Sequence, residues 1–421
     1  MWFLKKRKKK KHLSTQEEST FCMLPWTHLH ALPNGNVLPC CVAPYKEAFG
    51  HLSTLSLKDI WNSDKMKELR LNMINGERSK SCQRCYEIES FGGVSLRNQM
   101  NEVFEEDYSL VTKTKKDGSV KSFKMLYLDI RFSNICNLKC MGCSPALSSK
   151  WADDYRKIYN IDLEGKDVVS ISDQSETFID ELMSLLPDAK RVYFAGGEPL
   201  LMEEHYKCLD YFINNNNKDD VLITYNTNLT SLKFKGRSVL DYWTQLNNIC
   251  LSISIDDIFE RGEYFRFGTK WNVLIDNIET VKKICPHIKI DVTCTVSLFN
   301  VGRLPEIHRY LYSHHYIDET GFFLNYLLDP GYLRSQNLPD THKVIVAKKL
   351  SDYITELNSI YPEKSWALLE ESFTKQIDCL NFDRKLKDVK DFKSWIEKVD
   401  KVRNNSIFDA YPEIANLMEL K

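Results

Sequence analysis

The stretch "MLYLDIRFSNICNLKCMGCSP", residues 125–145, decides the fold. Its first half alternates: Leu126, Leu128 and Ile130 share one face, and Tyr127, Asp129 and Arg131 share the other. That period of two is a β-strand with one apolar and one polar side. The strand runs directly into Cys136, Cys140 and Cys143, a C-x3-C-x2-C spacing. Three thiolates on one tight loop can hold three corners of a [4Fe–4S] cube and leave one iron without a protein ligand. An open metal position is where a small molecule can bind and react. A zinc knuckle would want a fourth ligand, often supplied as paired C-x2-C.

Outward from this loop, strand and helix patterns alternate. "RVYFAG", "VLITYNTN", "ICLSISID", "IKIDVTCTV" and "GFFLNYLL" read as further strands, with helices over 202–216 and 270–284. Six such units imply a parallel α/β sheet, open or curved into a partial (β/α)6 TIM-like barrel. Ser252, Ser254 and Asp256 share a polar face, as do Asp291, Thr293, Thr295 and Ser297. Helices cover the outer face of a parallel sheet, so the apolar rows belong under them and the polar rows line a wet cavity for a polar ligand. Cys294 falls on the apolar side and reads as core. Tyr127, Asp129 and Arg131 line the cavity and are the candidates for catalytic work. The expected domains are a basic tail (1–20), a cysteine-rich module (21–100), the α/β core (120–335) and a helical C-terminal region (336–421). Helices there are expected at 340–360, 364–378, 388–402 and 412–420.

At this point the chain resembles the radical SAM enzymes, and the resemblance covers residues 124–330. It implies that Cys136, Cys140 and Cys143 bind a [4Fe–4S] cluster whose open iron chelates S-adenosylmethionine (SAM). Reductive cleavage then gives a 5′-deoxyadenosyl radical that abstracts hydrogen from the substrate. "GGEP", Gly196 to Pro199, ends the second strand, where the family motif contacts the amino group of SAM; glycines permit close backbone approach, and Glu198 can accept from an ammonium. "NTN" places Asn226 and Asn228 at the end of the third strand, and Ser254 and Asp256 end the fourth; their family counterparts contact the ribose. Arg266 in "YFRFG" matches an arginine that takes the methionyl carboxylate, a bidentate pairing. The chain departs from the family at Gly142, where an aromatic or large residue usually sits beside the adenine. The backbone of Gly142 keeps its hydrogen-bonding groups there, with Met141 as the neighbouring side chain. A flavodoxin or ferredoxin is the electron donor such chemistry implies.

The N-terminal cysteines form a second constellation. Cys22, Gly35 and Cys40 fit C-x12-G-x4-C, and Cys82 and Cys85 add C-x2-C. With the "SLKDIWNS" segment they resemble the SPASM and twitch auxiliary-cluster modules, although those normally follow the barrel and a full SPASM has seven cysteines. The resemblance implies one auxiliary [4Fe–4S] cluster on Cys22, Cys40, Cys82 and Cys85; four cysteines also suit a structural zinc ion. A fully coordinated cluster favours electron uptake and net oxidation. Asn34-Gly35 signals a type I′ hairpin that folds Cys40 toward Cys22 and leaves Cys41 as a bystander. His28, His30 and His51 are read as ordinary surface or satisfied strand and loop residues, not as ligands. Residues 56–76 carry helical spacing, with Ile60, Met66, Leu69 and Met73 on one face and Gly76 at the end.

The bulk of the chain fits a globular protein: 43% hydrophobic, 27% charged, net charge −1. The absence of a long apolar run and of a secretory h-region gives a cytoplasmic expectation and no membrane partner. Thirteen cysteines in such a setting argue for metal rather than disulfides. Lys5–Lys11 concentrates positive charge, a solvated tail or an electrostatic handle for nucleic acid. A peptide or protein is the commonest substrate among SPASM-type relatives; a sugar, cyclitol, nucleotide or nucleic-acid base is the twitch-type alternative. A non-catalytic Fe–S or zinc binding protein is the reading from a different class. The closing pattern "FKSWIEKVDKVRNNSIFDAYPEI" resembles a recurrent tail of twitch-type radical SAM proteins.

Overall fold

The computed structural model describes residues 20–90, 94–215, 219–327 and 329–420. The Lys5–Lys11 block lies outside the described residues. The chain divides into two compact units: 1–133, 169–195 and 203–223 in the first, and 134–168, 196–202 and 224–421 in the second.

In the first unit the cysteine-rich segment contributes three strands, β1 (His28–Ala31), β2 (Asn36–Leu38) and β3 (Gly50–His51). β4 (Tyr127–Ile130) and β5 (Arg191–Phe194) follow. β1 pairs with β2 and β2 with β3, antiparallel, whereas β4 lies parallel to both β1 and β5. The cysteine-rich segment therefore extends the sheet that begins with β4. Three strands of two to four residues bury little by themselves, and pairing β1 with β4 joins them to a larger sheet and covers that strand's edge.

Two local expectations are corrected in this unit. The 56–76 segment forms two helices, Leu57–Trp61 and Asp64–Ile74, because Ser63 caps the second by accepting from Met66 N. Ile60, Met66, Leu69 and Met73 are nonetheless all buried, and Gly76 follows the end with φ +72°. The Asn34-Gly35 turn is not type I′, which needs positive φ at both residues. Only Gly35 has it, at +85°, and Gly35 N donates to Leu32 O at 2.9 Å. The connection is the longer hairpin with a left-handed glycine at its end.

β6 (Leu222–Thr227) runs from the first unit into the second. There the chain forms a short ribbon of β7 (Lys233–Phe234) and β8 (Arg237–Ser238). β9 (Ile249–Ser254), β10 (Lys289–Val296) and β11 (Phe322–Tyr326) then follow, with β10 parallel to both of its neighbours. Each of the six strands expected from 124 onward is present, with helices Glu203–Asn214 and Trp271–Ile284 between them. Leu251, Ile253, Val292 and Cys294 are fully buried, while Ser252 and Thr293 meet across the other face with hydroxyls 2.5 Å apart. The α/β class and the direction of the apolar rows follow the pattern read from the sequence. The C-terminal helices span Asp340–Ile360, Ala367–Leu380, Leu386–Arg403 and Pro412–Leu417, with a single turn at Ile407–Ala410.

Candidate active site and auxiliary cluster module

Cys136, Cys140 and Cys143 lie on a loop with no regular secondary structure, so its backbone groups must be satisfied individually. Lys139 N and Met141 N donate to Phe267 O and Phe265 O at 2.9 and 2.8 Å. Ser148 Oγ donates to Leu138 O at 2.6 Å, and Trp151 Nε1 to Cys140 O at 2.8 Å. Asn134 Nδ2 donates to Pro145 O and Asp167 O. The loop is thus fastened at both flanks and at its middle. Burial pushes the Cys136 thiol up to about 11, with Cys140 beside it adding to the rise, whereas a hydrogen bond from Cys143 lowers Cys140.

The GGEP turn docks on this loop. Gly196 and Gly197 have φ of +80° and +53°. A Cβ on Gly197 would stand 2.2 Å from Ile135 O, and Glu198 N donates to that same oxygen at 2.7 Å. Only glycine allows both the left-handed backbone and this approach. Pro199 opens the single turn Pro199–Leu201, where its missing N–H costs nothing. Glu198 is 2% exposed. Its carboxylate accepts from Thr227 Oγ1 at 2.7 Å, Asn228 N at 2.7 Å and Leu200 N at 3.1 Å. Burial raises its pKa against those hydrogen bonds. Glu198 therefore ties the GGEP turn to the end of β6. Thr227, which the sequence reading passed over, is the residue that makes this tie; its place in the middle of "NTN" was the available signal.

Asn228 donates to Asn137 Oδ1 at 3.0 Å and stands 3.9 Å from Cys136 Sγ. Asn226 and Ser254 are partly exposed on β6 and β9. Asp256 is buried, and its carboxylate is held by Arg266 Nη1 and Thr295 N, both at 2.7 Å. Burial works against the Arg266 charge, yet Cys140, Asp256 and Cys143 raise its pKa. Arg266 Nε is buried without a hydrogen-bond partner. Gly142 faces Leu327: a Cβ there would lie 3.0 Å from Leu327 Cδ1.

A clamp from the C-terminal helices completes the loop. Arg403 Nε donates to Asp154 at 2.9 Å, Lys139 Nζ reaches the same carboxylate at 2.6 Å, and Arg403 Nη1 lies 3.5 Å from Met141 Sδ. The Arg403 guanidinium stacks over Trp151 at 4.4 Å. The signal was present in the "DKVRNN" part of the tail, but nothing local indicates where that arginine goes.

The first unit holds the other constellation. Cys22 precedes the short helix Leu24–Thr27, Cys82 ends the turn Lys80–Cys82, and Cys85 lies on the helix Gln83–Ser90. Burial drives the Cys22 thiol upward, and Cys82, Cys40 and Cys85 near it each add to the rise. Cys40 and Cys82 are pushed up to about 12 by burial and by the other thiols of the set. Cys41 is also raised by burial, but its strongest charged neighbour is Asp129. Arg97 donates to Phe21 O at 2.7 Å and pairs with Glu89, fastening the Cys22 segment to the helix that carries Cys85.

Residues 22–86 match SPASM, the iron–sulfur cluster-binding domain. The SPASM-like module thus stands N-terminal to the α/β core, where the cysteine spacing placed it. Comparison with curated proteins gave no match. Among solved structures, anSMEcpe with bound AdoMet and Cp18Cys peptide is 18% identical, with 56% of this chain and 59% of that chain covered and a TM-score of 0.38. SuiB of Streptococcus suis bound to S-adenosylmethionine is 17% identical over 70% of this chain and 62% of its own, TM-score 0.37. The same protein bound to precursor peptide SuiA gives 17%, 71%, 68% and 0.38. The chain thus spans about three fifths of the length of anSMEcpe and of SAM-bound SuiB. Among the described residues, no helix is long and apolar enough to cross a membrane.

Proposed function

We propose that this chain is a radical SAM oxidoreductase that abstracts hydrogen from a polar substrate, a peptide or protein, with an auxiliary [4Fe–4S] cluster in the SPASM-like module taking up an electron. The observation that carries the reading is Arg266: a partly buried guanidinium beside Cys140, paired with Asp256, whose Nε–H is buried and unused. A buried donor without a partner is destabilising by about 1–3 kcal/mol, and a ligand carboxylate would satisfy it with a charge-assisted bond. The three cysteines supply three corners for a cluster, which fits an iron left open for a chelating ligand. When bound, the cluster and SAM supply reductive cleavage and a hydrogen-abstracting carbon radical.

The chain's own groups have separable tasks. Arg266 binds the carboxylate, and Gly196 and Gly197 let the backbone approach the ligand's amino group. Asn226 and Ser254 offer hydrogen bonds to ribose hydroxyls. Glu198, through Thr227 and Asn228, acts as a positioning residue for the turn that carries those glycines. Leu327 against Gly142 gives an apolar wall where the adenine would lie.

For the auxiliary site, the match of residues 22–86 to an iron–sulfur cluster-binding domain supports a cluster over a zinc ion. The test of the whole reading is direct. Anaerobically reconstituted protein, reduced with dithionite and given SAM, should release 5′-deoxyadenosine. No release by the wild type, or equal release by Cys140→Ala, would overturn it.

A further inference from the structure

His28 and His30 stand two apart on β1, and so share a face of the sheet. In the parallel register His28 pairs with Tyr127, and His30 with Asp129. The polar row of β4 is thereby laid beside two imidazoles. Far from being ordinary surface residues, His28 and His30 are 1% and 2% exposed, and Asp129 is 0% exposed. One ligand atom from each of the three lies within 4.8 Å of the others.

The hydrogen bonds fix which atoms are available. His28 Nδ1 lies 2.9 Å from Tyr127 O, and His30 Nδ1 lies 3.0 Å from Asp129 O. A carbonyl only accepts, so each Nδ1 carries the proton and donates it. Each neutral ring then keeps its lone pair on Nε2, and in His30 the protonated Nδ1 also faces the carboxylate, 3.4 Å from Asp129 Oδ2. A metal-bound histidine characteristically donates its other ring N–H in this way, which fixes the tautomer and ring direction. His28 Nε2 is buried and has no partner at all. Buried polar atoms are normally satisfied, and an exception asks for a cause. Arg131 holds the third member, its Nε 3.0 Å from Asp129 Oδ1, and so keeps this carboxylate ionised and directed.

We propose that His28, His30 and Asp129 form a binding site for one divalent transition-metal ion of the zinc(II) type, separate from both cysteine constellations. Two imidazoles and a carboxylate suit zinc or its first-row neighbours, whereas calcium and magnesium take oxygen ligands. Three protein ligands leave a coordination position for an oxygen ligand from water or a polar substrate. The site stands whether or not the chain cleaves SAM, because none of its atoms belongs to the proposed SAM pocket.

The test uses the full chain with its clusters reconstituted, so that the cysteines are occupied. The protein is exposed to a small excess of zinc(II), passed through a desalting column, and analysed for zinc and iron together. The wild type should retain one zinc per chain. His28→Gln and Asp129→Asn should retain none while their iron stays unchanged, and His51→Gln should behave as wild type. Zinc should also raise the wild-type melting temperature by several degrees, since an ion that binds only the folded chain stabilises it; this readout needs no variant to fold. A wild type that retains no zinc and shows no shift overturns the proposal. Equal zinc in the wild type and the folded His28 and Asp129 variants overturns it as well.

Discussion

Arg403 donates to Asp154 at 2.9 Å across 249 positions of sequence, and both side chains are buried. This pair fastens the last long helix to the helix Trp151–Tyr159 that follows the cysteine loop. Removing one partner of a buried pair leaves the other uncompensated, which typically is destabilising by 3–5 kcal/mol. Lys139 remains near Asp154, so Arg403→Met should fall near the lower end, about 3 kcal/mol in anaerobic urea unfolding. Combining it with Asp154→Asn should recover part of that loss. A single-variant effect under about 1 kcal/mol would show that the pair contributes little.

Gly197 and Gly165 form a natural control. Both have positive φ, but a Cβ on Gly165 meets nothing within 4 Å, while one on Gly197 meets Ile135 O at 2.2 Å. Gly165→Ala should be destabilising by about 1–2 kcal/mol, the strain of a left-handed residue, and leave SAM affinity unchanged. Gly197→Ala should weaken SAM binding at least tenfold in calorimetry, because the turn must back away from the cysteine loop. Equal affinities for the two variants would remove the GGEP turn from the SAM pocket.

His308 gives a pH dependence. Burial, aided by Arg309, lowers its pKa to about 3, and its Nδ1 sits 2.8 Å from the Tyr353 hydroxyl. As pH falls below the ordinary histidine value of about 6.5, the unfolded chain takes up a proton that the folded chain refuses. Stability contributed by the neutral ring is full above that value and is lost as pH drops toward 3. From pH 7.5 to 5.5 the loss at this residue is about 1.4 kcal/mol. Unfolding curves of His308→Gln should show a correspondingly flatter pH slope than wild type, and parallel slopes would exclude His308 as the source.

Iron content separates the two constellations. With two [4Fe–4S] clusters the reconstituted chain should hold about eight irons, and Cys82→Ala/Cys85→Ala about four. Cys41→Ala should keep all of them, since Cys41 has Asp129 as its strongest charged neighbour. Loss of half the iron in Cys41→Ala would reassign it as a ligand.

Much of this was legible along the chain. The Cys136–Cys143 spacing, the polar and apolar faces of β4, β9 and β10, and the four long C-terminal helices are local patterns, and local geometry realises them. The misses share a cause. The helix expected over 56–76 breaks because the Ser63 hydroxyl competes for the backbone. The hairpin at Gly35 takes a looser turn, with His51 packed where a Cβ would be. Both are decided by single side chains within otherwise consistent periodicity.

The sequence by itself determined the element types and the cysteine inventory, because periods of two and 3.6 and fixed spacings need only neighbours along the chain. Tertiary structure decided what those residues meet. It paired β1 with β4, so that two histidines of modest appearance became a buried set with Asp129. It also placed Ile135 O against Gly197, turned Glu198 toward Thr227, and left Arg266 with one donor unused. The physical reason is desolvation: whether a polar atom is satisfied or orphaned depends on which distant segment excludes water from it, and no local pattern carries that information.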